Sequence, residues 1–169
     1  MILERFFPDL YIQSVYELPL EELQRRGIRV LLFDIDNTIA PFDVAEPDDA
    51  LIDFFAKLRQ MGFRVCILSN NNKERVQLFN RNLKTLAVHK AGKPGTKKVK
   101  RVLDKLHASP SNAAIIGDQV FTDMWCGYQA GIYRIMTAPI CERDQFVTKI
   151  KRGLERCVMR IYFKRNGIK

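Results

Sequence analysis

Long hydrophobic runs are missing from this 169-residue chain: no stretch of eighteen or more uncharged apolar residues occurs, so no bilayer-crossing helix is expected. The four cysteines, Cys66, Cys126, Cys141 and Cys157, are widely spaced and form no C-x-x-C pair. The two histidines, His89 and His107, stand apart from them and from each other, and neither suggests a catalytic role. A disulfide framework or a zinc site is therefore a poor fit, and reduced thiols in a cytoplasmic protein are the expectation. The opening MILERFFPDLYI carries an early acid and a proline without a long apolar stretch, which argues against a secretory signal. Internal repeats, low-complexity tracts and linker-like segments are also lacking.

Acidic residues are scarce only in part of the chain. Residues 1–53 hold 4 Lys/Arg against 12 Asp/Glu, whereas residues 54–169 hold 24 against 7, leaving that distal part at net +17. Such a basic surface suits polyanionic partners, with nucleic acid, an anionic membrane and a phosphorylated substrate all eligible.

What the sequence does contain is a series of short apolar runs that end in chemistry. Ile28–Phe33 ends at Asp34 and Asp36, Phe63–Leu68 at Ser69-Asn70-Asn71-Asn72, and Ala113–Ile116 at Gly117-Asp118. A fourth run, Gly131–Met136, is weaker. Each is apolar enough for a strand covered on both faces, as parallel strands are. Helical periodicity lies between them, over Pro47–Met61, Asn72–Asn82, Thr96–Leu106 and Phe121–Ala130. Strands alternating with helices predict a doubly wound α/β parallel sheet, whose chemistry collects at the carboxyl edge.

Two aspartates at i and i+2 beyond a buried strand are costly unless a cation or hydrogen bonds compensate them. Mg²⁺ is a natural compensator, and a carboxylate held this way can attack phosphorus. The structural alternative is an Asx-type turn. Ser69 could cap the following helix as readily as bind phosphate, Asn70 could be an ordinary turn residue, and Lys93 stands among Lys90, Lys97, Lys98 and Lys100. Gly117-Asp118 could be a plain turn, but Asp123 five residues on favours an acidic metal shell. Trp125 reads as packing.

Phe33-Asp34-Ile35-Asp36-Asn37-Thr38 resembles motif I of the haloacid dehalogenase-like (HAD) phosphohydrolases. Ser69 matches the second motif, Lys93 in Ala91-Gly92-Lys93-Pro94 the third, and Gly117-Asp118-Gln119-Val120-Phe121-Thr122-Asp123 the fourth. The resemblance implies a Rossmann-like core and Mg²⁺. It makes Asp34 the nucleophile and a metal ligand, and Asp36 the general acid and base whose backbone carbonyl meets the metal. Asp118 would complete the protein ligands with Asp123 in support, and Ser69, Asn70 and Lys93 would face the phosphate. Such a constellation suits phosphoryl transfer, which depends on positioning and charge neutralisation.

The intervals between motifs leave no room for a separate cap domain. Only residues 39–46 separate Thr38 from the helix near Pro47, and 23 residues separate Ser69 from Lys93, enough for one helix and a short strand such as Thr85–Val88. An open site on one domain, residues 1–169, favours a substrate held by something larger. An aromatic-rich N-terminal segment (1–26) precedes the core, and a basic amphipathic helix (about 146–163) follows it. That helix would place Val147, Ile150, Leu154, Cys157, Val158 and Ile161 on one face, with Lys149, Arg152, Arg156 and Arg160 pointing away. It could lie on anionic lipid or pack on the domain.

Pro8-Asp9-Leu10-Tyr11, Ser14-Val15-Tyr16 and Gly27-Ile28-Arg29 extend the resemblance to the YqeG-like branch, which includes phosphatidylglycerophosphate phosphatases. This implies a phospholipid phosphate as substrate, with contact at the inner face of a membrane. The alternatives are a HAD phosphatase acting on a soluble or nucleic-acid phosphate ester, and a non-catalytic module docking on RNA or a ribosomal particle. The last lacks an aromatic-interleaved RNA motif and leaves the motif residues unexplained.

Overall fold

The computed structural model describes residues 2–141 and 148–167. Six strands, all parallel, form one sheet: β1 (Leu10–Ile12), β2 (Val30–Phe33), β3 (Arg64–Leu68), β4 (Leu86–Val88), β5 (Ala113–Gly117) and β6 (Tyr133–Thr137), in the order β1-β6-β5-β2-β3-β4. The helices are α1 (Leu20–Arg25), α2 (Asp49–Gln60), α3 (Lys73–Leu83), α4 (Lys97–Lys105), α5 (Trp125–Ala130) and α6 (Thr148–Asn166). The expected α/β sheet is present, and only α3 and β4 occupy the interval between Ser69 and Lys93, so that interval holds no cap domain.

Strand periodicity sorts the core into two layers. Leu31, Phe33, Val65, Ile67, Ala114 and Ile116 pack on one face, against α2 and α3. Val30, Leu32, Cys66, Leu68, Ala113 and Ile115 pack on the other, with Val99, Val102 and Leu103 of α4. This is the alternation that a pleated strand imposes, and both sets are apolar because helices cover both faces. Asp48 caps α2 by accepting from the Leu51 N–H at 2.8 Å, and Asn72 caps α3 by accepting from the Arg75 N–H at 2.8 Å.

From β2 the chain moves outward through β3 and β4, then returns to the other side of β2 for β5 and β6. The order reverses between β2 and β5, and a crevice at the carboxyl ends of such strands is where this architecture binds ligands. Asp34 and Asp118 are the residues that follow those two strands.

The ends of the chain add what periodicity left open. Leu10–Ile12 forms an edge strand paired with β6, Leu10 opposite Ile135. The expected helix Phe121–Ala130 is divided into a π-helical turn, Val120–Met124, and α5. Helix α6 is continuous through Gly153. Residues 146 and 147 of the expected C-terminal helix, Val147 included, lie outside the described residues, as do the side chains of Lys149, Ile150 and Arg152. Along the rest, Glu155, Val158, Met159 and Tyr162 face inward, whereas Leu154, Cys157 and Ile161 are exposed. Among the described residues of the expected apolar face, Val158 alone is buried. Ring contacts of Tyr162 with Phe7 and of Phe163 with Tyr11 set the rotation of the helix.

Candidate active site

Each sequence-predicted site residue except Asp36 and Asn70 is buried: Asp34, Ser69, Lys93, Asp118 and Asp123. Asp34 leaves β2 with its N–H donating to the Ile116 carbonyl at 2.9 Å, and Ser69 leaves β3 with its N–H donating to Val88 at 3.0 Å. Sheet hydrogen bonding thus carries the register of the core directly into the site. Lys93 enters from the loop after β4, and Asp123 from the π-helical turn after β5, a local widening common at functional sites.

The Lys93 ammonium lies between two carboxylates. Its Nζ is 3.0 Å from Asp34 Oδ1 and donates to Asp123 Oδ1 at 2.6 Å. Asp123 Oδ2 accepts from the Gln119 N–H at 3.1 Å. A Cβ at Gly117 would fall 2.2 Å from Asp123 Cγ, so only glycine lets that carboxylate approach the end of β5. The loop bearing Lys93 is tied to β3 by Asn70, whose Oδ1 accepts from the Lys93 N–H at 2.8 Å while its Nδ2 donates to the Lys93 carbonyl at 3.0 Å. Asn70, expected to meet phosphate, lines the same cleft as Asp34 and Ser69, and both ends of its amide tie down the Lys93 backbone. Ser69 is not the helix cap, a place taken by Asn72. Its Oγ accepts from the Asn71 N–H at 3.1 Å.

Asp36 takes a different direction. Its Oδ1 accepts from Arg75 Nη2 at 3.0 Å and Nε at 3.3 Å, and its Oδ2 accepts from Asn71 Nδ2 at 3.0 Å. The carboxylate still borders the cleft of about 340 Å³ that Asp34, Ser69 and Lys93 line. Sequence reading did not single out Arg75 or Asn71. The available signal was slight: an arginine in the first turn of a helix that begins at a strand end, with its partner distant in sequence.

Burial pushes the Asp34 carboxyl up to about 6; the Lys93 ammonium opposes the shift, and Asp123 adds to it. Burial pulls Lys93 the other way, but Asp123 and Asp34 outweigh it and hold the ammonium above its usual range. Asp34, Asp118 and Asp123 each offer a carboxylate oxygen within 4.8 Å of the others. The Thr38 hydroxyl donates to Asp118 Oδ1 at 3.4 Å. Three buried acids against one ammonium leave excess negative charge, and hard oxygen donors at this spacing fit a divalent cation. Asp123, expected in a supporting role, falls within the same 4.8 Å spacing.

A buried carboxylate, an ammonium and an acidic cluster that fits a divalent cation, gathered at the switch point of a parallel sheet, are the groups that phosphoryl transfer uses. A family model described as haloacid dehalogenase-like hydrolase matches residues 16–131, and the chain belongs to that family as a phosphatase enzyme. It is 31% identical over 167 residues to the probable phosphatase YqeG of Bacillus subtilis, covering 99% of this chain and 96% of the relative. Solved structures similar in fold include an uncharacterized protein from Listeria monocytogenes, with a TM-score of 0.54 at 17% identity, covering 73% of this chain and 88% of that one. Another is the cobalt-bound deoxy-D-mannose-octulosonate 8-phosphate phosphatase of Haemophilus influenzae, with a TM-score of 0.52 at 11% identity, covering 68% and 80%.

Proposed function

We propose that this protein is a Mg²⁺-dependent phosphomonoester hydrolase that works through an aspartyl-phosphate and acts on a phospholipid phosphate such as phosphatidylglycerophosphate. The observation that carries the reading is the buried Asp34 carboxylate beside Lys93, with Asp118 and Asp123 gathered around it.

Asp34 Oδ attacks phosphorus, a new P–O bond forms to the carboxylate, and the bond to the ester oxygen breaks. Asp36, at the mouth of the same cleft, gives its proton to the departing alkoxide. It then takes a proton from water, whose oxygen attacks the phosphorus of the aspartyl-phosphate, releasing inorganic phosphate and restoring Asp34. Lys93 and the Ser69 hydroxyl meet the phosphoryl oxygens. Asp34 and Asp118, with Asp123 beside them, would hold Mg²⁺, which would supply charge neutralisation for the transferring group. Arg75 and Asn71 fix the direction of Asp36, and Asn70 that of Lys93.

The lipid part of the proposal rests on the uncapped cleft and on α6. Among the described residues no helix is long and apolar enough to cross a membrane. Leu154, Cys157 and Ile161 nonetheless lie exposed along a helix with Arg156, Arg160 and Lys164. Apolar groups flanked by cations suit the surface of an anionic bilayer on its cytoplasmic side. The test is Mg²⁺-dependent phosphate release from phosphatidylglycerophosphate in mixed micelles, a sugar phosphate and 3′- and 5′-phosphorylated oligonucleotides, with Asp34→Asn as control. Preference for the lipid and silence of the variant are expected. Preference for a soluble ester would overturn the lipid assignment, and a fully active variant would overturn the nucleophile.

A further inference from the structure

Where the carboxyl end of β6 meets α6, a cavity of about 420 Å³ adjoins the acidic cluster, with Asp118 in its wall. Its volume lies in the range of small-molecule sites. Met136, Pro139, Met159 and Phe163 supply apolar walls. Methionine thioethers and a phenyl ring adapt to flexible hydrocarbon, as unbranched and polarizable groups do. The mechanism above uses none of these four.

Thr137 lines the same cavity and is 1% exposed, yet its hydroxyl has no hydrogen-bond partner among the described residues. A buried polar group left unsatisfied is destabilising, and a bound molecule bearing an oxygen relieves that penalty. Asp118, Glu155 and Arg156 also border the cavity, so charges of both signs meet its apolar walls. Thr137 ends β6 next to β5, so an occupant reaches the cluster along the carboxyl edge of the sheet.

Resting on the phosphatase reading of Asp34, we propose that this cavity is the leaving-group subsite. It receives the alcohol half of the ester, with aliphatic carbons against Met136, Met159 and Phe163 and an alcohol-side oxygen at the Thr137 hydroxyl. The substrate class that follows is an amphiphilic phosphomonoester whose alcohol combines hydrocarbon with oxygen. The cavity takes the portion of such a molecule nearest the scissile bond, and a longer tail extends beyond it.

Binding of non-hydrolysable n-alkyl phosphonates of one, four and eight carbons, measured calorimetrically with Mg²⁺, reads the cavity without turnover. Affinity is expected to rise with chain length, by up to ~fourfold for each methylene buried. Met159→Trp, which fills the space, is expected to flatten the series while leaving methyl phosphonate within about twofold of the original protein. Thr137→Val keeps the shape and removes the orphaned hydroxyl. It is expected to weaken a hydroxylated alkyl phosphonate about tenfold relative to its plain counterpart. A series flat in the original protein, or equally graded in Met159→Trp, would overturn the subsite. An unchanged ratio in Thr137→Val would overturn the oxygen contact. Hydrolysis of the matching alkyl phosphates reads Asp34 separately: graded binding without Mg²⁺-dependent hydrolysis would leave the subsite standing and overturn the phosphatase reading.

Discussion

At the carboxyl ends of β2 and β5 charged groups are buried, and along α6 apolar groups are exposed. Lys93, Asp34 and Asp123 form a salt-bridged cluster in which the Lys93 side chain is 2% accessible. Leu154 of α6 is 58% exposed, and Ile161 39%. Each region breaks the usual partition of polar outside and apolar inside, in opposite senses. Burying the ions costs stability unless the partners neutralise one another, and exposing the leucine forfeits burial. Exceptions to an otherwise consistent fold concentrate at functional surfaces. Under the proposed function, the first region concentrates charge where phosphorus would react, and the second presents hydrocarbon and cations to lipid.

The largest effect is expected from removing the charge that balances the buried cluster. Lys93→Met leaves two buried carboxylates facing each other. In metal-free protein it should lower unfolding stability by about 3–5 kcal/mol, read by urea titration in EDTA. Phosphate release with Mg²⁺ should fall at least about a hundredfold. Unchanged stability would mean that the cluster is not ion-paired as described.

Arg75→Gln separates positioning from charge balance. Asp36 loses its guanidinium anchor but keeps Asn71, so kcat should fall about tenfold with KM nearly constant. Equal kcat in the variant would remove Arg75 from the mechanism.

The pH dependence follows from the Asp34 carboxyl, which burial raises from 3.8 to about 6. An acid raised in this way stabilises the fold while protonated, and metal-free protein loses that contribution as pH rises from about 4 through about 6. A cation competes with the same proton. Mg²⁺ affinity measured calorimetrically should therefore be level above pH 6 and weaken up to about tenfold for each pH unit below it. A level affinity down to pH 5 would exclude Asp34 as a ligand.

The smallest effect belongs to the exposed stripe. Leu154→Gln with Ile161→Gln should weaken binding to phosphatidylglycerol-containing vesicles roughly fivefold, without altering hydrolysis of a soluble ester. Equal vesicle binding would show that this face does not touch lipid.

The two regions also differ in how well their sequence announces them. Val30–Phe33, Arg64–Leu68 and Ala113–Gly117 are continuous apolar runs that end in functional side chains, so the central sheet and the places of Asp34, Ser69 and Asp118 were legible. The edge strand Leu10–Ile12 was not, because three residues carry little periodicity and their partner, Ile135 opposite Leu10, is far along the chain. Arg75 was hidden for a similar reason: on an isolated helix it is one more solvated cation, and only the fold brings Asp36 to it. Asn70 was legible as a site residue but not as a strut, since its role depends on where the Lys93 backbone passes. In α6, hydrophobic spacing put Leu154, Cys157, Val158 and Ile161 on one apolar face that could lie on lipid or pack on the domain. Aromatic contacts from Phe7 and Tyr11 instead turned Met159 and Tyr162 inward.

The most direct test of the account is to find the phosphate on its carboxylate. Protein quenched during turnover with Mg²⁺ and reduced with borohydride converts an aspartyl-phosphate to homoserine, which peptide mass spectrometry locates. Homoserine at position 34, dependent on both substrate and Mg²⁺ and absent from Asp34→Asn, is the predicted result. Rapid turnover with the label at another residue, or undiminished phosphate release by Asp34→Asn, would contradict it.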